Sequence, residues 1–186
     1  GSLGPDRATS AMSACQMEPA SQPALTFRLR HRRDTARLGR SLARVLIPGD
    51  LLVLEGDLGA GKTCLVQSIV HALGVPENQP VTSPTFEILH EFQGRLPIVH
   101  ADLYRLDPSE PLEELGLLAR IGADAVVLIE WGERFADQLG DSGVRVQLAL
   151  GRGSERQCAL HARGASGWGL IERLKPLLPG AGLASS

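Results

Sequence analysis

The run Gly56-Asp57-Leu58-Gly59-Ala60-Gly61-Lys62-Thr63 constrains what this chain can fold into more than any other segment. It has the form G-x-x-x-x-G-K-[ST]. Glycines at 59 and 61 let the backbone wrap so that its N–H groups converge on an anion. Lys62 supplies a positive charge to the outer phosphates of a nucleotide, and the Thr63 hydroxyl suits Mg²⁺. Such a loop works only between a buried strand and the start of a helix, whose dipole adds to the pull on the anion. The sequence offers both. Leu51-Leu52-Val53-Leu54 is a short apolar run, and Lys62 to Leu73 turns Leu65, Val66, Ile69 and Val70 to one side, with Gly74 placed to end the helix. A glycine-rich turn that matches by chance explains none of this context. Lys62 is also one of only two lysines, the other being Lys175. The segment therefore predicts a site for a nucleoside triphosphate with Mg²⁺, built from residues 57–63.

Composition narrows the remaining classes. The 186 residues suit one domain, with 43% apolar and 22% charged residues. A net charge of −2 argues against coating nucleic acid by bulk charge, and leaves room for a local basic face. Cys15, Cys64 and Cys158 form no C-x-x-C pair, so reduced thiols in a cytoplasmic protein are expected. No apolar run approaches the roughly 18 residues that span a bilayer, so no membrane association is expected.

Residues 1–23 and 179–186 read as disordered tails around a domain at 24–178. Ala24 to Arg30 alternates as a strand does. A helix follows, expected to be capped by Asp34 or Thr35, with Leu38, Leu42, Val45 and Leu46 on one face. Arg33, Arg37, Arg40 and Arg44 fall on the opposite face. That stripe is either a solvated surface or an electrostatic contact with a partner macromolecule. Residues 86–92 and 96–104 flank Gln93-Gly94-Arg95 as a hairpin. One helix is expected from Asp107-Pro108, a buried strand at 125–129, late strands at 144–150 and 157–162, and a closing helix at 168–177. Alternating strands and helices imply an α/β fold. With the phosphate loop, the expected class is a P-loop NTPase-like three-layer sandwich, its central sheet mainly parallel with antiparallel additions.

A phosphate loop needs carboxylates to hold Mg²⁺ and to place the attacking water. Glu130 directly follows Val126-Val127-Leu128-Ile129, at the strand end where ligands gather in open α/β sheets. Asp102 lies in His100-Ala101-Asp102-Leu103-Tyr104-Arg105. Each is weighed against a plain strand-end acid facing water. Ser83-Pro84-Thr85 is either a turn or a sensor of the outer phosphate.

Taken together, the loop at 56–63, Ser83-Pro84-Thr85-Phe86, His100 to Leu106, Glu113-Glu114-Leu115-Gly116 and Ile129-Glu130-Trp131 resemble the TsaE (YjeE) family of bacterial ATPases. The resemblance spans residues 25–175. It implies ATP as the nucleotide and a role in making threonylcarbamoyladenosine on tRNA. It also implies action on a TsaD–TsaB complex, with tRNA met through that complex. By the motif match, Thr63 and Glu130 are the implied Mg²⁺ ligands, Asp102 a catalytic acid and Trp131 a residue needed for activity. Asp34 and Thr35 stand where the family places the nucleotide base. Cys64 and Gly132 depart from the family's usual hydroxyl residue and proline. On the residues alone two other readings stay open. One is a small-molecule P-loop kinase, with Arg152 and Arg156 in a lid. The other is a nucleotide-gated binding module with negligible hydrolysis.

Overall fold

The computed structural model describes residues 22–82 and 87–178. The expected tails fall outside that range apart from Gln22 and Pro23, which have no regular structure, and so does Ser83-Pro84-Thr85. Seven strands form one sheet: β1 (Leu25–Leu29), β2 (Leu51–Glu55), β3 (Leu89–Gln93), β4 (Pro97–Asp102), β5 (Val126–Glu130), β6 (Gly143–Leu150) and β7 (Arg156–Arg163). Their order is β1-β7-β6-β2-β5-β4-β3. The four central strands run parallel. The antiparallel pairs sit at the edges, β3 on β4 and the β1-β7-β6 ribbon. The expected mixture of parallel core and antiparallel additions is what the chain adopts.

Side chains alternating along the parallel strands divide the interior into two cores. Leu52, Leu54, Val126 and Leu128 point to one face, where α1 (Arg32–Val45), α2 (Lys62–Ala72) and α5 (Gly164–Leu174) pack. Leu51, Val53, Val127 and Ile129 point to the other. That face is covered by short pieces: a 3-10 turn at Leu112–Leu115, α3 (Leu117–Arg120), a second 3-10 turn at Gly132–Phe135 and α4 (Ala136–Leu139). Among the described residues, no helix is long and apolar enough to cross a membrane.

Three expectations need correction. First, α1 begins at Arg32 with His31 as its cap, so neither Asp34 nor Thr35 caps it. Asp34 instead sits inside the first turn. Its carboxylate accepts the amides of Arg30 and His31 at 2.9 and 3.0 Å, half of a capping box. These amides hold the carboxyl below the usual aspartate range. Second, no single helix follows Asp107. The Asp107 side chain accepts from the amide and hydroxyl of Ser109 and makes a local turn. Gly116, at φ 71°, then separates the 3-10 turn from α3. Third, the closing helix starts at Gly164 and ends in a 3-10 turn at Lys175–Leu177. The short helices at 132–139 were not expected from the sequence.

Candidate nucleotide-binding site

Parallel strands bring their carboxyl ends to one edge of the sheet, and three of them build the site. The loop leaves β2, Asp102 ends β4 and Glu130 ends β5. In the register of the sheet, Glu130 lies between Leu54 and Asp102. Gly61, at φ 104°, is the cap of α2 in a left-handed conformation that L side chains avoid. Gly56 has φ 140°, and a Cβ there would fall 2.2 Å from the carbonyl oxygen of Leu148, so the loop's first position requires glycine.

The loop, the strand ends and the segment after β4 line a cavity of about 610 Å³, a volume suited to a small ligand. Leu58, Gly59, Gly61, Lys62, Thr63, Asp102, Glu130 and Trp131 all border it. Thr63 donates its hydroxyl to Glu130 Oε1 at 2.9 Å, which joins the loop helix to the end of β5. Lys62 is buried, and its ammonium donates to the carbonyls of Gly56 and Asp57, the latter at 3.0 Å. The same ammonium lies 3.8 Å from the centre of the Trp131 ring. Burial holds the Lys62 amine below the ordinary lysine value, and the nearby carboxylates, Glu130 first, offset part of that shift.

Three expected site residues lie differently. Asp57 is exposed and does not line the cavity, its carbonyl instead accepting from Lys62. Ala60 is buried under the loop, its amide donating to Asp57 at 3.0 Å. Thr35 is buried in α1 and does not line the cavity.

Trp131 carries the strain of the site. It is the one non-glycine residue at positive φ among the described residues, at 63°. That conformation costs about 1–2 kcal/mol for an L residue. Trp131 donates its amide to Leu54 at 3.1 Å. Gly132 then packs so closely that a Cβ would come 2.3 Å from Val53. The bend sends the Trp131 ring toward Lys62 and Tyr104, whose ring centre is 4.9 Å away.

Sequence reasoning missed one member of the site, His100, and gave another, Arg156, a different role. His100 is fully buried, with Nε2 at 2.7 Å from Glu130 Oε2. Against a carboxylate acceptor, Nε2 carries the proton. His100 Nδ1 has no partner among the described residues. Its position two residues before Asp102 on β4 was the available signal, since the two share a face of the strand. Arg156 opens β7 and donates to the Gly59 carbonyl at 3.3 Å, as well as to Gly153 and Glu155. It is thus tied to the loop rather than held out as a lid. Arg152 is exposed in the turn before it.

Thr63 and Glu130 place one hydroxyl and one carboxylate oxygen within 2.9 Å of each other beside the loop. Mg²⁺ in nucleotide sites is held by one or two such protein oxygens, with phosphates and water completing the shell. The donor set therefore fits Mg²⁺. No group of three or more His, Cys, Asp or Glu able to hold a metal by itself exists among the described residues.

The model of the family described as threonylcarbamoyl adenosine biosynthesis protein TsaE matches residues 29–158. A protein of Treponema pallidum named tRNA threonylcarbamoyladenosine biosynthesis protein TsaE is 40% identical over 121 residues, covering 65% of this chain and 88% of that one. The protein of the same name from Bacillus subtilis is 34% identical over 141 residues, covering 75% and 87%. The crystal structure of Bacillus subtilis YdiB superposes with a TM-score of 0.67 at 30% identity, covering 82% of this chain and 95% of that one. With the family model matching well over half its length, this chain belongs to the TsaE family.

Proposed function

We propose that this chain binds ATP with Mg²⁺ at residues 57–63 and hydrolyses it. It does so as the accessory ATPase of threonylcarbamoyladenosine formation on tRNA, acting on the TsaD–TsaB complex in the cytoplasm. The observation that carries the reading is the 2.9 Å contact between Thr63 and Glu130. A phosphate loop whose Mg²⁺-type hydroxyl already meets a strand-end carboxylate is built for a metal-bound triphosphate. The names of the relatives supply the pathway.

The chain's own residues divide the work. Amides of the loop and the start of α2 take the phosphates, and Lys62 moves its charge from backbone carbonyls to the outer phosphate oxygens. Mg²⁺, when bound, offsets the charge that develops on the β and γ oxygens. Thr63 and Glu130 would be its protein ligands. His100 fixes Glu130 by donating to Oε2, leaving Oε1 turned to Thr63. Asp102 borders the cavity from the adjacent strand. There it orients a water and accepts its proton as the water oxygen bonds to the γ-phosphorus and the bond to the β-phosphate oxygen breaks. A contact of Thr35 with the nucleotide base would require α1 to shift toward the cavity, because Thr35 is buried and outside its lining.

The test is ADP release by the purified chain with and without TsaD–TsaB. Slow release alone and a clear rise with the protein pair are expected, because a partner must close an open site against water. A rise driven instead by a small phosphate acceptor would overturn the reading in favour of a kinase.

A further inference from the structure

α1 carries an uncompensated line of positive charge. Arg33, Arg37, Arg40 and Arg44 are all exposed, as is Arg32 beside them. Among the described residues, none of the five makes an ion pair or a side-chain hydrogen bond, whereas Arg28, Arg120, Arg145, Arg163 and Arg173 each pair with an acid. The one acid on the helix, Asp34, is committed to the amides of Arg30 and His31. In a chain of net charge −2, this helix is a local exception.

The line borders a groove. α1 and α2 enclose about 570 Å³ lined by Arg32, Arg33, Arg40, Ser68 and His71, with Glu77 as its one acid among the described residues. Cys64 borders both this groove and the nucleotide cavity, so the two are neighbours. His71 Nδ1 lies 3.0 Å from the carbonyl oxygen of Val75. Against that carbonyl Nδ1 donates, which leaves Nε2 as the ring nitrogen for a ligand in the groove.

We infer that the arginine line of α1 and its groove with α2 bind the phosphate backbone of RNA, so that this chain touches tRNA directly. From Arg33 to Arg44 is 11 residues, about 16 Å of helix, long enough for the line to meet more than one phosphate of a nucleic-acid strand. A protein partner fits less well. Protein interfaces centre on buried aromatic or apolar anchors. Among the described residues the large exposed apolar side chains are Ile47, Leu58, Tyr104, Leu150 and Trp168, none within α1, although Ile47 follows its cap. Arginine identity itself counts for little in a chain with two lysines. The weight falls on charge, alignment and the lack of intramolecular partners. The tRNA identity rests on the proposed function; the RNA-binding face does not.

The experiment measures fluorescence anisotropy of a labelled tRNA transcript titrated with the full chain across a salt series. Variants are Arg40→Glu/Arg44→Glu and Arg40→Ala/Arg44→Ala, neither of whose side chains lines the nucleotide cavity. ATP affinity is measured in parallel and should stay unchanged, which shows that the variants fold. The charge reversal should weaken tRNA binding at least ten-fold, and the alanine pair less. The slope of log affinity against log salt should fall by about two, one for each phosphate that an arginine no longer neutralises. Absent tRNA binding by the unaltered chain at low salt would overturn the inference, and so would binding that neither variant changes. Reversal that weakens only the complex with TsaD–TsaB would overturn it too, in favour of a protein contact. Multiple-turnover tRNA modification, run beside it, separates the two claims. Modification that requires the chain, with no tRNA binding by it, sinks this inference alone. Reversal-sensitive tRNA binding with modification indifferent to the chain sinks the proposed function alone.

Discussion

Glu130 is held from three sides: Thr63 at one carboxylate oxygen, His100 at the other, and the Leu103 amide at its carbonyl. That restraint argues for a carboxylate kept in one orientation rather than one left to water. Glu130→Gln keeps the shape and removes the charge. ATP hydrolysis should fall at least a hundred-fold while ATP affinity, by calorimetry, changes far less. Hydrolysis near the unaltered rate would reduce Glu130 to a structural acid. His100→Leu should also slow hydrolysis with little effect on ATP affinity, because it frees Glu130 to turn. His100→Gln, whose amide nitrogen can take the place of Nε2, should recover part of the rate. Equal loss in both variants would show that His100 serves only the core. Lys62→Ala removes a charge-assisted contact of about 1.5–3 kcal/mol, so Mg²⁺–ATP should bind about ten- to a hundred-fold more weakly. The cysteines offer a check that needs no substitution. Burial pushes the Cys158 thiol up to about 12, so it should resist alkylation until the chain unfolds. Cys64 borders the cavity, and saturating Mg²⁺–ATP should slow its labelling, read by peptide mass. Labelling of Cys64 indifferent to ATP would move the nucleotide elsewhere.

At the scale of elements, α1 and α2 meet at a point too close for side chains. A Cβ at Gly39 would lie 2.5 Å from the Cβ of Ser68. Gly39→Val should therefore cost about 1–3 kcal/mol by overpacking. Thermal unfolding should show a fall of about 2–4 °C for each kcal/mol. An unchanged midpoint would mean that the helices slide apart freely. The same scale explains what the sequence could reveal. Apolar runs such as 51–54 and 126–129 announced strands buried on both faces, because each residue lies in one core or the other. The phosphate loop announced its strand and helix by spacing. The 107–124 segment misled because acids at a helix start and acids capping a turn look alike in sequence. Gly116 could have been any loop glycine. The approach of His100 to Glu130 was hidden for another reason. It depends on β4 lying beside β5, a pairing between strands that the sequence does not order. Trp131 drew notice only through family resemblance, since no local pattern demands its positive φ.

Over the whole molecule, the two faces of function separate. The parallel strands gather the nucleotide site at their carboxyl edge, where Leu58 and Tyr104 stand 74% and 51% exposed at the cavity's border. Exposed apolar groups around an open site are what a closing protein partner would cover. The arginine line lies on another surface, that of α1. On the proposed reading, ATP at the first surface leaves the arginine line uncovered, with Cys64 bordering both the nucleotide cavity and the groove beside that line. The central claim is that ATP hydrolysis by this chain sustains repeated modification, beyond what binding alone supports. The most direct measurement is reconstituted threonylcarbamoyladenosine formation with TsaD–TsaB limiting and tRNA in excess, with the chain, without it, and with Glu130→Gln. Many modified tRNAs per TsaD–TsaB complex are expected with the chain, and about one or fewer without it or with the variant. Equal accumulation in all three would contradict the claim.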